Sequence, residues 1–298
     1  KKVLTETYNI SGEDVHVQKM QISSRNNYSN SLSIDEYGAA LISFNEGQPS
    51  LDAFGNLRTT EETVLGAYDN VTDSQDDLYT IVELSGGTQS YESQRSLISI
   101  NVNGDAGAMS YRITNRYHHY LPGTGQLILL TIAHGDAGKA GNERCWGYSD
   151  RNNGMSFALS GTTLGVRLRS DASGSVVDTF VPQSEWNGDK VDGTGTSGYN
   201  LDITKRNLYW ISFAWLGVGA VRMGVFGQNG ERIICHTFIN VNGDPYPYTR
   251  TATLPLSFSN YNTTTVGSGS ELKFICAAVY SDSTPKYTFW RHTDMETS

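Results

Sequence analysis

Alternation of apolar and polar residues is the feature that most limits what this chain can fold into. In "MSYRITNRYHH", Met109, Tyr111 and other apolar side chains fall on one face, and Ser110, Arg112 and Thr114 fall on the other. Because residues two apart share one face of a β-strand, this period indicates strands and not helices. The stretches "LILLTIA" and "LYWISFAWL" are apolar on both faces, which predicts central strands covered on both sides.

Turn signals separate the predicted strands. Asn-Gly pairs, which tolerate the positive φ of tight hairpins, begin at Asn103, Asn153, Asn187, Asn229 and Asn242. In "AVRMGVFGQNGERIICHTF" we predict a hairpin with a two-residue turn at Asn229-Gly230 and positive φ at both residues. Between two other strands, Gly217 and Gly219 are expected to make a tight bend, with Trp210 and Trp215 anchoring the core on either side.

The stretch "INVNGD" occurs twice, at Ile100–Asp105 and Ile239–Asp244. The flanking residues of the two copies do not match, which argues against a duplicated domain. A calcium loop would need further oxygen ligands at set spacings, and the glycine stands at the wrong place for one. We therefore interpret both copies as turns that end a strand.

Three regions follow from the density of strand patterns. Residues 1–60 are predicted as an N-terminal arm with short strands ("VHVQKMQI", "AALISF") that makes oligomer or particle contacts. Residues 61–77 are predicted as a linker that could hold a short helix capped by Thr60. Residues 78–298 are predicted as the globular domain. The fold class is all-β, an antiparallel β-sandwich or jelly-roll-like domain with an extended arm.

Composition excludes several classes of protein. A net charge of −9 argues against binding to nucleic acid phosphates, and no apolar run approaches the length of a membrane span. The start "KKVLTETYNI" has no apolar signal core, so we do not expect a secretory peptide.

The cysteines are expected to be reduced thiols. Cys235 and Cys276 lie in apolar strand-like runs and are expected to be buried and unpaired, and Cys145 is expected to be reduced as well.

Catalytic and metal-binding patterns are absent from the sequence. The stretch Asp192–Asn200 is glycine-rich but has no lysine for phosphate, and the acidic run Asp69–Asp77 reads as a solvated turn. His118 and His119 would point to opposite faces of a strand, so they cannot chelate one ion together. We predict no catalytic residue, no cofactor-binding residue, no metal ligand and no enzymatic activity.

The stretch Cys145–Gly154 gathers aromatic and polar residues, namely Trp146, Tyr148, Asp150 and Arg151. One interpretation is a platform for a sugar, with polar groups around an aromatic face. The other, which we favour, is a loop whose aromatic side chains cover the edge of the sandwich.

The stretch Gln126–Phe238 resembles a family of uncharacterised structural proteins of tailed bacteriophages, especially aquatic ones. The resemblance is carried by "GQLILLTIAHGDAG", by "WNGDKVDGTGTSGYNLDITK" and by the segment "WLGVG", and upstream by "SLDAFGNLRT". It extends roughly from Ser50 to Tyr261, and Asn56 departs from the arginine that the family has there. The family supplies no catalytic residue.

This resemblance implies a non-enzymatic structural component of a phage particle, a capsid-decorating or tail-associated protein in the virion, assembled in the bacterial cytoplasm. Its expected partners are other virion proteins and further copies of itself, with neither nucleic acid nor membrane. An alternative is a carbohydrate- or receptor-binding adhesin domain that binds a host surface glycan. A weaker alternative is a β-sandwich enzyme that degrades glycans, which would need paired carboxylates in a cleft.

Overall fold

The computed structural model describes residues 62–282 and the backbone of six short strands between Leu4 and Leu41. Contacts divide the chain into two compact units, Lys1–Pro49 and Ser50–Ser298. In the described residues, no helix is long and apolar enough to cross a membrane.

The first unit contains three antiparallel strand pairs. They are β1 (Leu4–Ile10) with β2 (Glu13–Lys19), β3 (Gln21–Ser23) with β4 (Ser29–Ser31), and β5 (Ser33–Ile34) with β6 (Ala40–Leu41). The stretch "VHVQKMQI" thus overlaps β2 and β3, and β2 pairs with β1 of the same chain. Pairing of this region with another subunit stays a prediction, and residues 42–60, the end of the predicted arm, lie outside the described residues.

The second unit is an antiparallel β-sandwich, which confirms the predicted fold class. Its strands are β7 (Thr63–Asp69), β8 (Tyr79–Leu84), β9 (Gly87–Glu92), β10 (Leu97–Val102), β11 (Met109–Thr114), β12 (Gln126–His134), β13 (Asn142–Ser149), β14 (Gly154–Ser160), β15 (Thr163–Ser170), β16 (Val177–Pro182), β17 (Asn207–Phe213), β18 (Val221–Phe226), β19 (Arg232–Phe238), β20 (Leu256–Asn262) and β21 (Ser270–Ser281). Two short 3-10 helices, Asp76–Leu78 and Gln183–Glu185, lie between strands.

The strands form two sheets. The eight-stranded sheet has the order β19-β18-β17-β12-β21-β10-β9, with β7 paired to β21 beyond this path. The seven-stranded sheet has the order β16-β15-β14-β13-β20-β11-β8. The two stretches predicted as central strands are β12 and β17, which are neighbours in the middle of the eight-stranded sheet and buried along most of their length.

The core between the sheets is rich in aromatic rings. Trp146 of the seven-stranded sheet stacks on Phe157 at 5.9 Å between ring centroids and meets Tyr209 of the other sheet edge-on at 5.2 Å. All three side chains are fully buried. Burial of such large rings dominates the hydrophobic stabilisation of a sandwich.

The segment predicted as a linker, residues 61–77, is instead partly a strand. β7 (Thr63–Asp69) pairs antiparallel with β21, and Tyr68 is buried in the core. β-Branched Thr63 and Val64 favour an extended backbone over the helix that we considered. The sandwich therefore begins before residue 78.

Strand β11 places its polar face inward. Ser110, Arg112 and Thr114 are buried, whereas Met109 and Tyr111 are only partly covered. The Arg112 guanidinium donates to Asp76 at 2.8 Å and to the Ser74 carbonyl, and lies 3.8 Å over the Tyr79 ring. Because its charge is paired and both of its terminal nitrogens donate hydrogen bonds, Arg112 can be buried, and the apolar side chains of β11 are turned outward.

The bend between β17 and β18 forms as predicted. Gly217 has φ of 78°, and a Cβ at Gly219 would lie 1.7 Å from the Ala214 carbonyl oxygen, so only glycine fits there. Trp210 is buried and Trp215 is partly buried against the core.

The hairpin between β18 and β19 has a different turn from the one predicted. Only Gly230 has positive φ, at 80°, and Asn229 does not. The Gly230 amide donates to the Gly227 carbonyl at 3.1 Å, and the Gly227 amide donates to the Glu231 carbonyl at 2.9 Å. This is a three-residue loop in which an ordinary turn is followed by a left-handed glycine.

Replacing Gly230 by Val should lower the free energy of unfolding by about 1–2 kcal/mol, because a β-branched residue is strained at positive φ. Open space surrounds the Cβ position, so no clash contributes. Urea unfolding of Gly230→Val beside Gly230→Asn measures the effect, since Asn tolerates this backbone conformation and should lose less. Equal losses in the two variants would contradict the prediction.

The two copies of "INVNGD" both mark strand ends. In the first, β10 ends at Val102 and the Asn103 side chain accepts from the Asp105 amide at 3.0 Å, which closes the turn. The second begins directly after β19 and contains Asn242 at a φ of 57°. The interpretation of the motif as strand-end turns is confirmed.

The three cysteines are unpaired. Cys235 is fully buried, as predicted. The predicted burial of Cys276 is wrong, because this residue is only partly covered. A shift in the pairing of β12 with β21, where Thr131 faces Cys276 and Ile132 faces Phe274, inserts one residue and places Cys276 off the core face.

Candidate functional site

The stretch Cys145–Gly154 forms neither the aromatic platform nor the edge-covering loop that we favoured, because its residues 145–149 belong to strand β13. Trp146 and Tyr148 are fully buried in the core, and the side chains of Trp186 and Trp210 are only 3% exposed. This removes tryptophan as a sugar-stacking surface in residues 62–282, where the remaining tryptophan, Trp215, is partly buried. Asp150 and Arg151, in contrast, lie at the surface beside a groove.

This groove lies on the outer face of the seven-stranded sheet and encloses a cavity of about 280 Å³. We call it the serine groove. Its lining consists of Val82, Met109, Tyr111, Cys145, Ser149, Asp150, Arg151, Ser156, Arg167, Arg169, Ser257, Ser259 and Tyr261. This volume is slightly below the usual range for small-molecule sites, about 300–1,000 Å³.

The floor of the serine groove is made by small side chains on three neighbouring strands. Ser257 of β20 is paired with Gly147 of β13, which is paired with Ser156 of β14. Two residues further along β20, Ser259 is paired with Cys145 of β13. Small residues at consecutive positions across a sheet leave a depression where longer side chains would otherwise fill the surface.

The two sides of the groove come from the strands that flank this floor. Tyr111 of β11 lies opposite Ser259 and Val82, and Arg167 of β15 lies opposite Ser156. Four strand spacings separate β11 from β15, which is about 19 Å between their axes. Arg167 leans over the floor, with its Nη1 atom 3.5 Å from Cys145 Sγ, and so narrows the opening.

Ion pairs fix the arginine side of the groove. Arg167 Nη1 lies 2.7 Å from Glu143, which also accepts from the Tyr261 hydroxyl at 2.6 Å. Burial acts to raise the pKa of Glu143, but the hydrogen bonds from Arg167 and Tyr261 hold it below its usual value. Arg169 donates two bonds of 2.6 Å to Asp178, and these lower the pKa of that carboxyl.

At one end of the groove, several polar groups have capacity for new hydrogen bonds. In residues 62–282 neither Asp150 nor Arg151 forms an ion pair, and the Tyr111 hydroxyl makes no hydrogen bond. Burial and the nearby Asp150 charge raise the pKa of Tyr111 to about 12, so its hydroxyl is protonated at neutral pH. A carboxylate acceptor, a guanidinium and a hydroxyl therefore meet beside an aromatic ring.

The turn Asp150–Asn153 positions these groups. Asp150 Oδ1 accepts from the amides of Asn152 at 2.8 Å and Asn153 at 2.7 Å, and Asn153 is buried with its side chain donating to Asp171 at 2.8 Å. The following Gly154 has φ of 140°. The Asn-Gly signal at this place thus marks the turn that holds Asp150 and Arg151 at the groove.

The other candidate site residues identified from the sequence have structural roles. His118 is buried and bonded to the Tyr68 hydroxyl at 2.9 Å, while His119 is exposed. Asp76 in the acidic run pairs with Arg112, and Asp189 braces the glycine-rich loop by accepting from the Ser197 amide at 2.7 Å. Within residues 62–282 no group of three or more His, Cys, Asp or Glu side chains is placed to hold a metal ion.

The sequence analysis missed most of the groove. It identified Asp150 and Arg151 but not Tyr111, Ser257 or Ser259. A signal was present in "LSFSNYN", where small polar residues alternate with core residues on a strand covered on one side only. When such a strand lies in the middle of a sheet, its short outward side chains leave a depression on the outer face of that sheet.

Neither a protein-family model nor a curated protein matches the chain. The carbohydrate recognition domain of Emp47p is similar with a TM-score of 0.46 at 10% identity, covering 74% of this chain and 96% of that one. A legume lectin-like domain from Entamoeba histolytica has a TM-score of 0.43 at 12% identity, with 73% and 97% covered. A protein of unknown function from Shewanella oneidensis MR-1 has a TM-score of 0.46 at 8% identity, with 78% and 92% covered.

Similarity at this level is a general likeness of architecture and says nothing about ligands of this chain. The resemblance to phage structural proteins stays a prediction.

Proposed function

We propose that this protein is a non-enzymatic glycan-binding protein and that the serine groove is its binding site. The observation that carries the proposal is the groove itself. A floor of small hydroxyl-bearing side chains lies between the Tyr111 ring and paired arginines, with Asp150 and Arg151 free of ion pairs at one end. Sugars need this combination, because their rings have an apolar face for aromatic contact and hydroxyls that both donate and accept.

The carboxylates around the groove favour binding over hydrolysis. A glycoside hydrolase needs a carboxylic acid with a raised pKa to protonate the leaving group. Glu143 and Asp178 have lowered pKa values and are held by arginines. A carboxyl kept ionised in this way is unsuited to act as the general acid, and Asp150, the one carboxylate among the residues that line the groove, has no second carboxylate beside it there. This is why we set the glycan-degrading alternative aside.

Filling the groove should abolish glycan binding without unfolding the protein. Ser259 lies on the floor between Tyr111 and Cys145, so Ser259→Phe would occupy the ligand volume. We expect at least a tenfold loss of affinity, about 1.4 kcal/mol, on a glycan array and in titration of the best ligand with the full chain.

The matched control is Ser90→Phe, which introduces the same ring at an exposed position of β9 on the other sheet. It should bind as the wild type does. Absence of any glycan bound by the wild-type protein, or equal binding by Ser259→Phe, would refute the proposed function.

A second proposal follows the phage resemblance, in which the protein is a structural component of a virion. Its support in the fold is that Lys1–Pro49 forms a compact unit of its own, distinct from the unit that contains the sandwich. Antibody against the sandwich should label purified particles of the encoding phage. Removal of residues 1–49 should keep the protein out of the particles, and normal incorporation of the truncated protein would contradict the assembly role.

A further inference from the structure

The two long sides of the serine groove differ in chemistry. On one side Val82, Met109 and Tyr111 form a continuous apolar surface, since Val82 is paired with Tyr111 and Met109 lies one step further along β11. Beyond Met109 stands Leu84, its cross-strand partner, which is 53% exposed. Apolar residues at successive outward positions are unusual on a sheet face that meets water.

The opposite side is ionic, and its charges are already paired. Arg167 is bound to Glu143 at 2.7 Å and Arg169 to Asp178 at 2.6 Å. Between the two sides, Ser149 and Ser257 share a hydrogen bond of 2.7 Å across the floor. A ligand that fills the groove thus meets hydrogen-bonding groups along one edge and hydrocarbon along the other.

This asymmetry limits which sugar fits. A hydroxyl placed against Val82 and Met109 would lose its water and find no donor or acceptor, which is unfavourable. A methyl group in the same place would bury apolar surface and lose nothing. The remaining hydroxyls of the ring would face the serine side chains of the floor.

We infer that the serine groove takes a pyranose sugar that carries a methyl group, with the methyl against Val82 and Met109 and the ring beside Tyr111. The inference rests on the proposed glycan binding and narrows its ligand class. The 2-acetamido sugars and the 6-deoxy sugars both have such a methyl, and the experiment below separates them.

The test titrates the full-length protein with matched monosaccharides and follows binding by saturation-transfer NMR and calorimetry. One series is glucose, N-acetylglucosamine and 6-deoxyglucose, and the other is galactose, N-acetylgalactosamine and 6-deoxygalactose. In at least one series a methyl-bearing sugar should bind about tenfold more tightly than its parent, the discrimination that one methyl-sized group gives in an apolar pocket. Whichever derivative gains affinity identifies the group that carries the methyl.

Val82→Thr tests the contact, because threonine keeps the shape of valine and replaces one methyl by a hydroxyl. This variant should lose most of the preference for the methyl-bearing sugar while its affinity for the parent sugar changes less than about twofold. The control is Val64→Thr, at a 54% exposed position of β7 outside the groove, which should keep the preference.

Equal affinity for parent and methyl-bearing sugars would overturn the inference and leave the proposed glycan binding standing. An unchanged preference in Val82→Thr would overturn the assigned contact. If no monosaccharide and no arrayed glycan binds, both the inference and the proposed function fail.

Discussion

The free energy of unfolding is expected to fall by roughly 4–5 kcal/mol between pH 6.5 and pH 4.5, owing mainly to the two most deeply buried histidines, His118 and His134. Burial lowers the pKa of His118 to about 4 and that of His134 to about 3. His118 as a neutral ring donates to the Leu254 carbonyl at 3.2 Å and accepts from Tyr68. His134 packs on Trp146 with 4.7 Å between ring centroids, and neither of its ring nitrogens has a hydrogen-bond partner.

The direction of this pH dependence follows from the number of protons that the folded and unfolded states bind. In the unfolded chain both histidines take up a proton below about pH 6.5, whereas in the fold they stay neutral until pH is much lower. The unfolded state therefore binds more protons in this window, and stability is lost as pH falls through it at about 1.4 kcal/mol per pH unit for each histidine. Above pH 6.5 their contribution is fully present.

Urea unfolding at half-unit steps of pH measures this dependence. His134→Phe keeps the packing on Trp146 but cannot be protonated, so the slope should fall by about half. His119→Phe changes an exposed histidine and should keep the slope of the wild type. A free energy of unfolding that is flat between pH 6.5 and pH 5 would refute the prediction.

Asp136→Ala should lower the free energy of unfolding by about 3–5 kcal/mol, because it leaves a buried guanidinium without its counter-ion. Arg144 is fully buried, and its Nη2 atom donates to Asp136 at 2.6 Å while Nε donates to Asn142 at 2.9 Å. Although partial burial acts to raise the pKa of Asp136, the bond and charge of Arg144 hold it below the usual value.

Two further variants make this test specific. The double variant Asp136→Ala/Arg144→Met removes the charge as well as its partner, so it should be more stable than Asp136→Ala alone. Arg95→Ala breaks a pair with Glu92 in which the arginine side chain is 66% exposed, and it should cost less than about 1 kcal/mol. A double variant less stable than Asp136→Ala would show that Arg144 stabilises the fold by other contacts.

The fold class could be predicted from sequence because the signals for strands and turns lie within short stretches of the chain. Alternation identified strands such as β11, Asn-Gly identified the hairpin of β18 and β19, and the apolar runs identified β12 and β17 as central. β7 was missed because its pattern is short and becomes a strand only through pairing with β21. The turn at Asn229 was misassigned because one extra residue in the loop changes which positions need positive φ.

The binding site was harder to predict because it depends on which face of each strand turns outward. In β11 the pattern alone favours Met109 and Tyr111 as core residues, and the opposite holds because Asp76 and Tyr79 provide a place for Arg112. Those partners come from strand β8 and from the short 3-10 helix that precedes it. The groove thus follows from tertiary contacts that periodicity does not contain.

Strand β21 also sets when this protein can fold during its synthesis. It pairs with β12 on one side and with β10 and β7 on the other, and Asn70 just after β7 donates to the Phe274 carbonyl, 204 residues later. Until the ribosome has released Ser281, these three apolar strands have no common neighbour and the eight-stranded sheet stays incomplete. Contacts of such long range form slowly, so the nascent chain exposes unpaired strand edges, which favour aggregation, until the end of its translation.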